Sequence, residues 1–242
     1  MPTYTDSNRH PIHVGNRLGA GGEGTVYEIL NHPGLVAKIY KESLSLSRVE
    51  KLKVMPSMGT SSLLAMTAWP QGLIYEGGKP CGLLMGRVTG YKDIHNLYSP
   101  RGRKIEFAKA DFPFLVHAAA NLARAFASIH ESGTVIGDVN PGGVMVSPTD
   151  ATVKLIDCDS FQVSSGTRKF LCDVGVPIFT PPELQEKPLK GVLRSANHDN
   201  FGLAVLLFHI LFMGFRHLHV HAIPPSGAEC LSPHHQASRQ RR

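Results

Sequence analysis

Apolar and polar positions alternate in short runs over the first hundred residues. Val14–Leu18, Thr25–Leu30, Leu35–Tyr40, Leu73–Glu76 and Gly82–Val88 read as strands bounded by Gly, Pro or Asn. Between them, Leu46, Val49, Leu52 and Val54 or Met55 recur at roughly helical spacing, which predicts a helix over Leu44–Met55. The second half has a different pattern. Phe112–Glu131 is rich in Ala and Leu, with Gly133 as a stop signal, and predicts a long helix. Val144–Val146 and Val153–Ile156 read as two short strands around a turn composition. An irregular stretch follows from Ser160 to Pro182, and Phe201–Met213 predicts a buried helix. Strands first and helices later suggest an α+β, two-lobed protein. The boundary falls near Val88–Asp93, giving a first lobe over 1–88, a second over 89–213 and an atypical tail over 214–242.

Composition narrows the class. The chain has 242 residues, 42% hydrophobic and 18% charged, which suits a globular protein with a sizeable core and argues against wholesale disorder. The formal charge of +6 favours phosphate-bearing ligands or nucleic acid without deciding between them. Cys81, Cys158, Cys172 and Cys230 have neither metal-ligand nor redox spacing, so a reducing compartment is expected. The first residues lack an apolar signal-peptide core, and the longest apolar run, Phe201–Met213, is too short to span a bilayer. The expectation is a soluble cytoplasmic protein without a membrane span.

Candidate chemistry begins at Gly19, Gly21 and Gly24, with Gly22 between them. This G-x-G-x-x-G spacing also occurs in dinucleotide-binding folds, but there the glycines open a helix. Here Thr25-Val26-Tyr27-Glu28-Ile29 follows, β-branched and aromatic, so the chain leaves the glycines as a strand. Such a flap brings bare backbone N–H groups close to phosphates, although a plain glycine-rich hairpin has the same pattern. Lys38 lies inside an apolar strand and needs an anion if it points inward. Glu50, on the following helix, is the better-placed partner, and Glu42 competes with it. Asp138 and Asp157 each end an apolar run and open a loop, on either side of the two short strands. Two such carboxylates can converge, one accepting a proton from a hydroxyl and the other holding Mg²⁺ on a polyphosphate.

Taken in this order, these motifs resemble the protein kinase superfamily from about Ile12 to Met213. The flap Gly21–Glu28, the loop Gly137–Asn140 and the segment Ile156–Val163 look most like a bacterial branch of atypical serine/threonine kinases. Some members of that branch carry a helix-hairpin-helix extension. Others are encoded beside a von Willebrand A-domain protein and a PP2C-type phosphatase in tellurite-resistance-like clusters, which makes such proteins the implied partners. The resemblance implies ATP and Mg²⁺. It places Leu18, Gly19, Gly21, Gly22, Gly24, Val26 and Ala37 around the nucleotide, and Lys38 on its α- and β-phosphates, paired with Glu50. Met85 matches the gatekeeper, with Gly86–Val88 beside adenine. Asp138 matches the catalytic base, with Asn140 in the catalytic loop, and Asp157 the metal-binding aspartate. Thr180-Pro181-Pro182-Glu183 matches the end of an activation segment that begins at Ser160. Asp199 matches the buried aspartate that braces the catalytic loop.

Four departures qualify the resemblance. Gly137 stands where an Arg usually precedes the base, so control by segment phosphorylation loses one charge partner. Asn140 replaces the catalytic-loop lysine, and its side chain is expected to face the transferred phosphoryl group. Gly143 replaces the second metal-binding side chain, and Asp159, where a glycine is usual, is an alternative ligand. The tail after Gly214 holds five of the 13 histidines and no helical apolar pattern. His217, His219 and His221 could share a strand face, but no fourth metal ligand is nearby. Truncation or a shifted reading frame accounts for the tail more economically. The leading reading is an ATP-dependent protein serine/threonine kinase. The alternative is a catalytically impaired pseudokinase that binds nucleotide as a scaffold or switch, and a third is a non-functional fragment of a longer kinase. Nucleic-acid binding comes last, because the basic end has no aromatic interleaving.

Overall fold

The computed structural model describes residues 3–213. The histidines at 217, 219 and 221 and the expected truncation fall outside these residues. Seven antiparallel strands form one sheet in the order β2-β1-β6-β7-β5-β4-β3. They are β1 (Tyr4–Thr5), β2 (Pro11–Ile12), β3 (Val14–Ala20), β4 (Gly24–Ile29), β5 (Leu35–Tyr40), β6 (Pro70–Glu76) and β7 (Lys79–Gly86). Period-two alternation gives the sheet two apolar faces. Ile12, Ile29, Ala37 and Ile74 cluster on one face. Val36, Tyr40, Leu73, Leu83 and Met85 belong to the main core.

Helix α1 (Leu46–Met58) packs against β6. Ser45 caps it by accepting the amide of Arg48, and its buried residues are Lys51, Leu52 and Met55. A short α2 (Ser61–Met66) leads to the chain's single tryptophan. Trp69 is fully buried, donates its indole N–H to the Met55 carbonyl at 2.7 Å and meets the Phe161 ring edge-on.

The remaining elements are mainly helical: β8 (Lys92–Asp93), α3 (Ile94–Tyr98), α4 (Pro100–Glu106), α5 (Phe112–Glu131), β9 (Val144–Val146), β10 (Val153–Leu155), β11 (Val163–Ser165), β12 (Arg168–Phe170) and α6 (Ala196–Leu211). Helix α5 begins with Asp111 accepting the Phe114 amide and Pro113 in its first turn, and Gly133 follows its end at φ 75°. It is long and apolar enough, by length and composition, to cross a membrane. In the fold it buries Leu115, Ala118, Ala119, Leu122, Ala125, Phe126 and Ile129 as one stripe in the core. Helix α6 starts five residues before the predicted helix, in a polar turn that carries Asp199. It approaches the loop at Val139 so closely that a Cβ on Gly202 would lie 2.8 Å from the Val139 side chain. β9 and β10 pair with each other, and β8 extends them into a three-stranded sheet. The Ala68 amide donates to the Leu155 carbonyl at 2.8 Å, tying the chain just before β6 of the large sheet to this small one.

Candidate active site

The glycine flap is the turn between β3 and β4. Gly21 donates its amide to Gly24 O, and Lys41 reaches the Gly21 carbonyl. Gly24 is required by packing, because a Cβ there would lie 2.6 Å from the Ile39 carbonyl oxygen. Gly19, Gly21 and Gly22 are different. Nothing lies within 4 Å of a Cβ built on any of them, so the backbone there is bare and open. Leu18 is exposed on β3, and Val26 faces Lys38 across the β4–β5 register.

Lys38 points inward from β5 and is 6% exposed. Its Nζ donates to Asp159 at 2.8 and 3.0 Å and to Asp157 at 3.1 Å. Burial pulls the ammonium toward neutrality, but the two carboxylates outweigh it and hold its pKa above the ordinary lysine value. The expected partner, Glu50, is not there. It turns out of the site, accepts from Arg168 of β12 at 2.6 Å and is half-exposed. Arg48 and Lys51, one helical turn apart on α1, share the inward side that Glu50 leaves.

Asp159 is the site residue that sequence reasoning undervalued. It is 2% exposed and accepts from Lys38, from the Tyr40 hydroxyl at 2.7 Å and from Arg48 at 2.9 Å. Burial alone would raise its carboxyl pKa, yet these donors hold it below the usual carboxylate range. Engaged in this way, Asp159 is not a free metal ligand. Arg48 also pairs with Glu23, which links the glycine flap to α1. The available signal was the pair of aspartates flanking Cys158, together with a buried lysine in need of an anion.

Ala37 also departs from expectation. It is fully buried in the cluster with Ile12, Ile29 and Ile74, on the face opposite Lys38. Adjacent strand residues point to opposite faces, so Val36 rather than Ala37 shares the Lys38 face. Val36 pairs with Met85 across β5 and β7. Met85 is buried, Gly86 ends β7, and the amide of Arg87 is held by the Gly34 carbonyl, with Val88 half-buried beyond it.

Asp138, Asn140, Gly143 and Asp157 line one small cavity of about 40 Å³ between the loop after α5 and the end of β10. Asp157 takes a left-handed backbone conformation (φ 56°) and leaves 60% of its side chain exposed. One carboxylate oxygen of Asp138 is buried without a hydrogen-bond partner among the described residues. Burial raises its pKa, and the nearby Asn140 and Arg194 offset part of that rise. Asn140 donates its side-chain amide to the Asp138 carbonyl at 3.0 Å. The loop itself is held from behind. Asp199 accepts the amides of Ile136 at 2.7 Å and Gly137 at 2.8 Å, and His130 lies 2.9 Å from it. Gly137 sits at φ 75°, where a Cβ would lie 2.6 Å from Cys172. An arginine before the base has no room in this backbone.

A solved structure described as the ROP18 kinase domain in complex with AMP-PNP and sucrose has the same fold. That structure superposes with a TM-score of 0.62 over 87% of this chain and 67% of its own, at 18% identity. No family model matches the chain. Two curated relatives, both named protein kinase YegI, do match. The protein from Escherichia coli O157:H7 is 43% identical over 234 residues, 96% of this chain, and that from Escherichia coli strain K12 is 44% identical over 222 residues, 90% of this chain. The chain has a protein-kinase-like fold and is similar to these kinases over nearly all of its own length. It spans about a third of the length of the curated relatives it matches, 35% and 33% respectively. In kinase terms the large sheet and α1 form the N-terminal lobe, and α3–α6 with β8–β10 form the C-terminal lobe. Lys38, Asp157 and Asp138 come from elements on the two sides of the cleft between them.

Proposed function

We propose that this chain is the catalytic part of a protein kinase that moves the γ-phosphoryl group of ATP to a serine or threonine hydroxyl of a protein. The observation that carries the reading is Lys38, held under a bare glycine flap by Asp159 and Asp157, with Asp157 sharing a cavity with Asp138. Lys38 and the bare backbone at Gly19, Gly21 and Gly22, which no side chain shields, would bind the nucleotide's phosphates, with Val36, Val26 and Met85 packing toward the base. Asp138, with its unpartnered oxygen, would take the proton as the substrate hydroxyl attacks. The new oxygen–phosphorus bond forms as the bond to the ADP oxygen breaks, and ADP leaves with those electrons.

The exposed carboxylate of Asp157 fits a Mg²⁺ shared with the polyphosphate, which would neutralise charge as it develops there. Gly143 contributes no side chain, and among the described residues no group of three or more His, Cys, Asp or Glu is placed to hold a metal by itself. The same glycine, together with the hydrogen bond from Asn140 to the Asp138 carbonyl, favours the second reading, a nucleotide-binding pseudokinase. Calorimetry with Mg²⁺–ATP, followed by incubation with labelled ATP, separates the two. We expect binding that is lost in Lys38→Ala and Asp157→Ala, and label transfer that falls by about 10²-fold or more in Asp138→Asn. Binding without transfer would replace the kinase reading with the pseudokinase one.

A further inference from the structure

Arg194 stands just before Ser195, the N-cap of α6, and is 4% exposed. Among the described residues no carboxylate lies within ion-pair distance of it, although a buried guanidinium usually has one beside it. Both terminal nitrogens donate to backbone carbonyls instead, Nη1 to Gly137 at 3.0 Å and Nη2 to Val174 at 3.1 Å. Nε is buried with no partner among the described residues. The backbone of Arg194 is fixed in turn by Gln162, which accepts its amide at 2.8 Å and donates to its carbonyl at 2.9 Å. The side chain is therefore aimed by its own backbone before it reaches either acceptor.

The two acceptors belong to different parts of the site. Gly137 immediately precedes Asp138, and Asp199 already takes its amide at 2.8 Å. Arg194 and Asp199, five residues apart, thus grip the residue before Asp138 from both sides. A Cβ on Gly137 would lie 2.6 Å from Cys172 and 3.8 Å from the Arg194 stem, so those two side chains fill the space beside the loop. Val174 lies in the segment after β12, where the Cys172 thiol reaches the same carbonyl at 3.5 Å. A neutral donor could join two carbonyls, whereas an uncompensated cation is expensive to bury. The charge has one evident use, since it bears on Asp138 and opposes the rise that burial imposes on that carboxyl, as Asn140 also does. We propose that Arg194 is a positioning residue for Asp138, its guanidinium tying the backbone before the base to the segment at Val174 and holding the two in one register. The inference rests on the reading of Asp138 as the base of the proposed reaction.

The test compares the full chain with Arg194→Lys, which keeps the charge but replaces a rigid fork by a single point donor, and with Arg194→Gln, which removes the charge. Each is assayed for label incorporation from Mg²⁺–ATP, for ADP binding by calorimetry, and for amide hydrogen exchange over 136–140 and 171–176. In both variants the saturating rate is expected to fall by about tenfold or more, while ADP affinity and the ATP concentration at half-maximal rate stay within about twofold. Exchange should quicken severalfold in the two stretches together and stay unchanged over β5. A parent-like rate in folded Arg194→Lys, loss of ADP binding in step with the rate, or unchanged exchange in either stretch would overturn the proposal. If Arg194→Gln does not fold, Arg194→Lys decides by the same criteria. A parent chain that incorporates no label would remove the kinase reading, and the exchange pattern would then support or overturn the tie by itself.

Discussion

Asp159 and Glu50 are both carboxylates beside basic residues, and their surroundings set them far apart in consequence. Asp159 is buried and accepts from Lys38, Tyr40 and Arg48 at once, so removing its charge leaves the buried Lys38 with only the exposed Asp157 and takes one of the two carboxylates from Arg48. Asp159→Asn should destabilise the fold by ~3–5 kcal/mol in chemical denaturation, because breaking one side of a buried ion network leaves the other uncompensated. Glu50→Gln should stay within about 0.5 kcal/mol, since its pairing with Arg168 is exposed on both sides. Equal costs for the two changes would mean that Lys38 does not depend on Asp159. At this scale the sequence identified the reactive-looking residues better than their contacts. Asp138, Asp157 and Lys38 are marked by charge at the end of, or inside, an apolar run. Helix α1 carries charges at 48, 50, 51 and 53, and without a clean apolar stripe nothing tells which of them turns inward. Ala37 was misplaced for a simpler reason, since one residue along a strand is a change of face.

The loop from Ile136 to Gly143 depends on a backbone shape that only its neighbours explain. Gly137 is left-handed, faces Cys172 and gives its amide to Asp199. Gly137→Ala combines the cost of a left-handed L-residue with a collision at 2.6 Å, and should destabilise by about 2–4 kcal/mol. Thermal denaturation of that variant, beside an exposed glycine such as Gly22→Ala, checks the direction. In the sequence, Gly137 could be noted only as a missing arginine, because φ and the position of Cys172 are tertiary facts. Long periodic elements were legible, and α5 spans the predicted Phe112–Glu131. The short ones were not. β1, β2, α2, α3, α4 and β8 have two to seven residues each, too few for a period to register.

Across the whole molecule, Lys51 makes stability depend on pH. Burial lowers its pKa to about 8, an effect that Cys172, Asp159 and Glu23 oppose and Arg48 reinforces. Lys169, Lys190 and Asp173 line the same pocket as Lys51. In the unfolded chain Lys51 returns to an ordinary value of roughly 10.4, so between the two values the unfolded state binds more protons. Stability from this group is therefore fully present above the unfolded value and is lost as pH falls through about 8. Lys51→Met should remove that component, flattening the stability profile from pH 8 to 10 by up to about 1.4 kcal/mol per pH unit relative to the parent. Parallel profiles for the two proteins would mean that Lys51 is not buried as described. Ties between the two lobes include Lys38 to the aspartates and Ala68 to Leu155, and one side chain sits at that meeting point. Trp69 holds the C-terminal end of α1 through its indole N–H and lies edge-on to Phe161, two residues beyond Asp159. As the chain's single tryptophan it is a built-in optical gauge. Its emission follows the helix and the aspartate segment together, without any label attached to the protein.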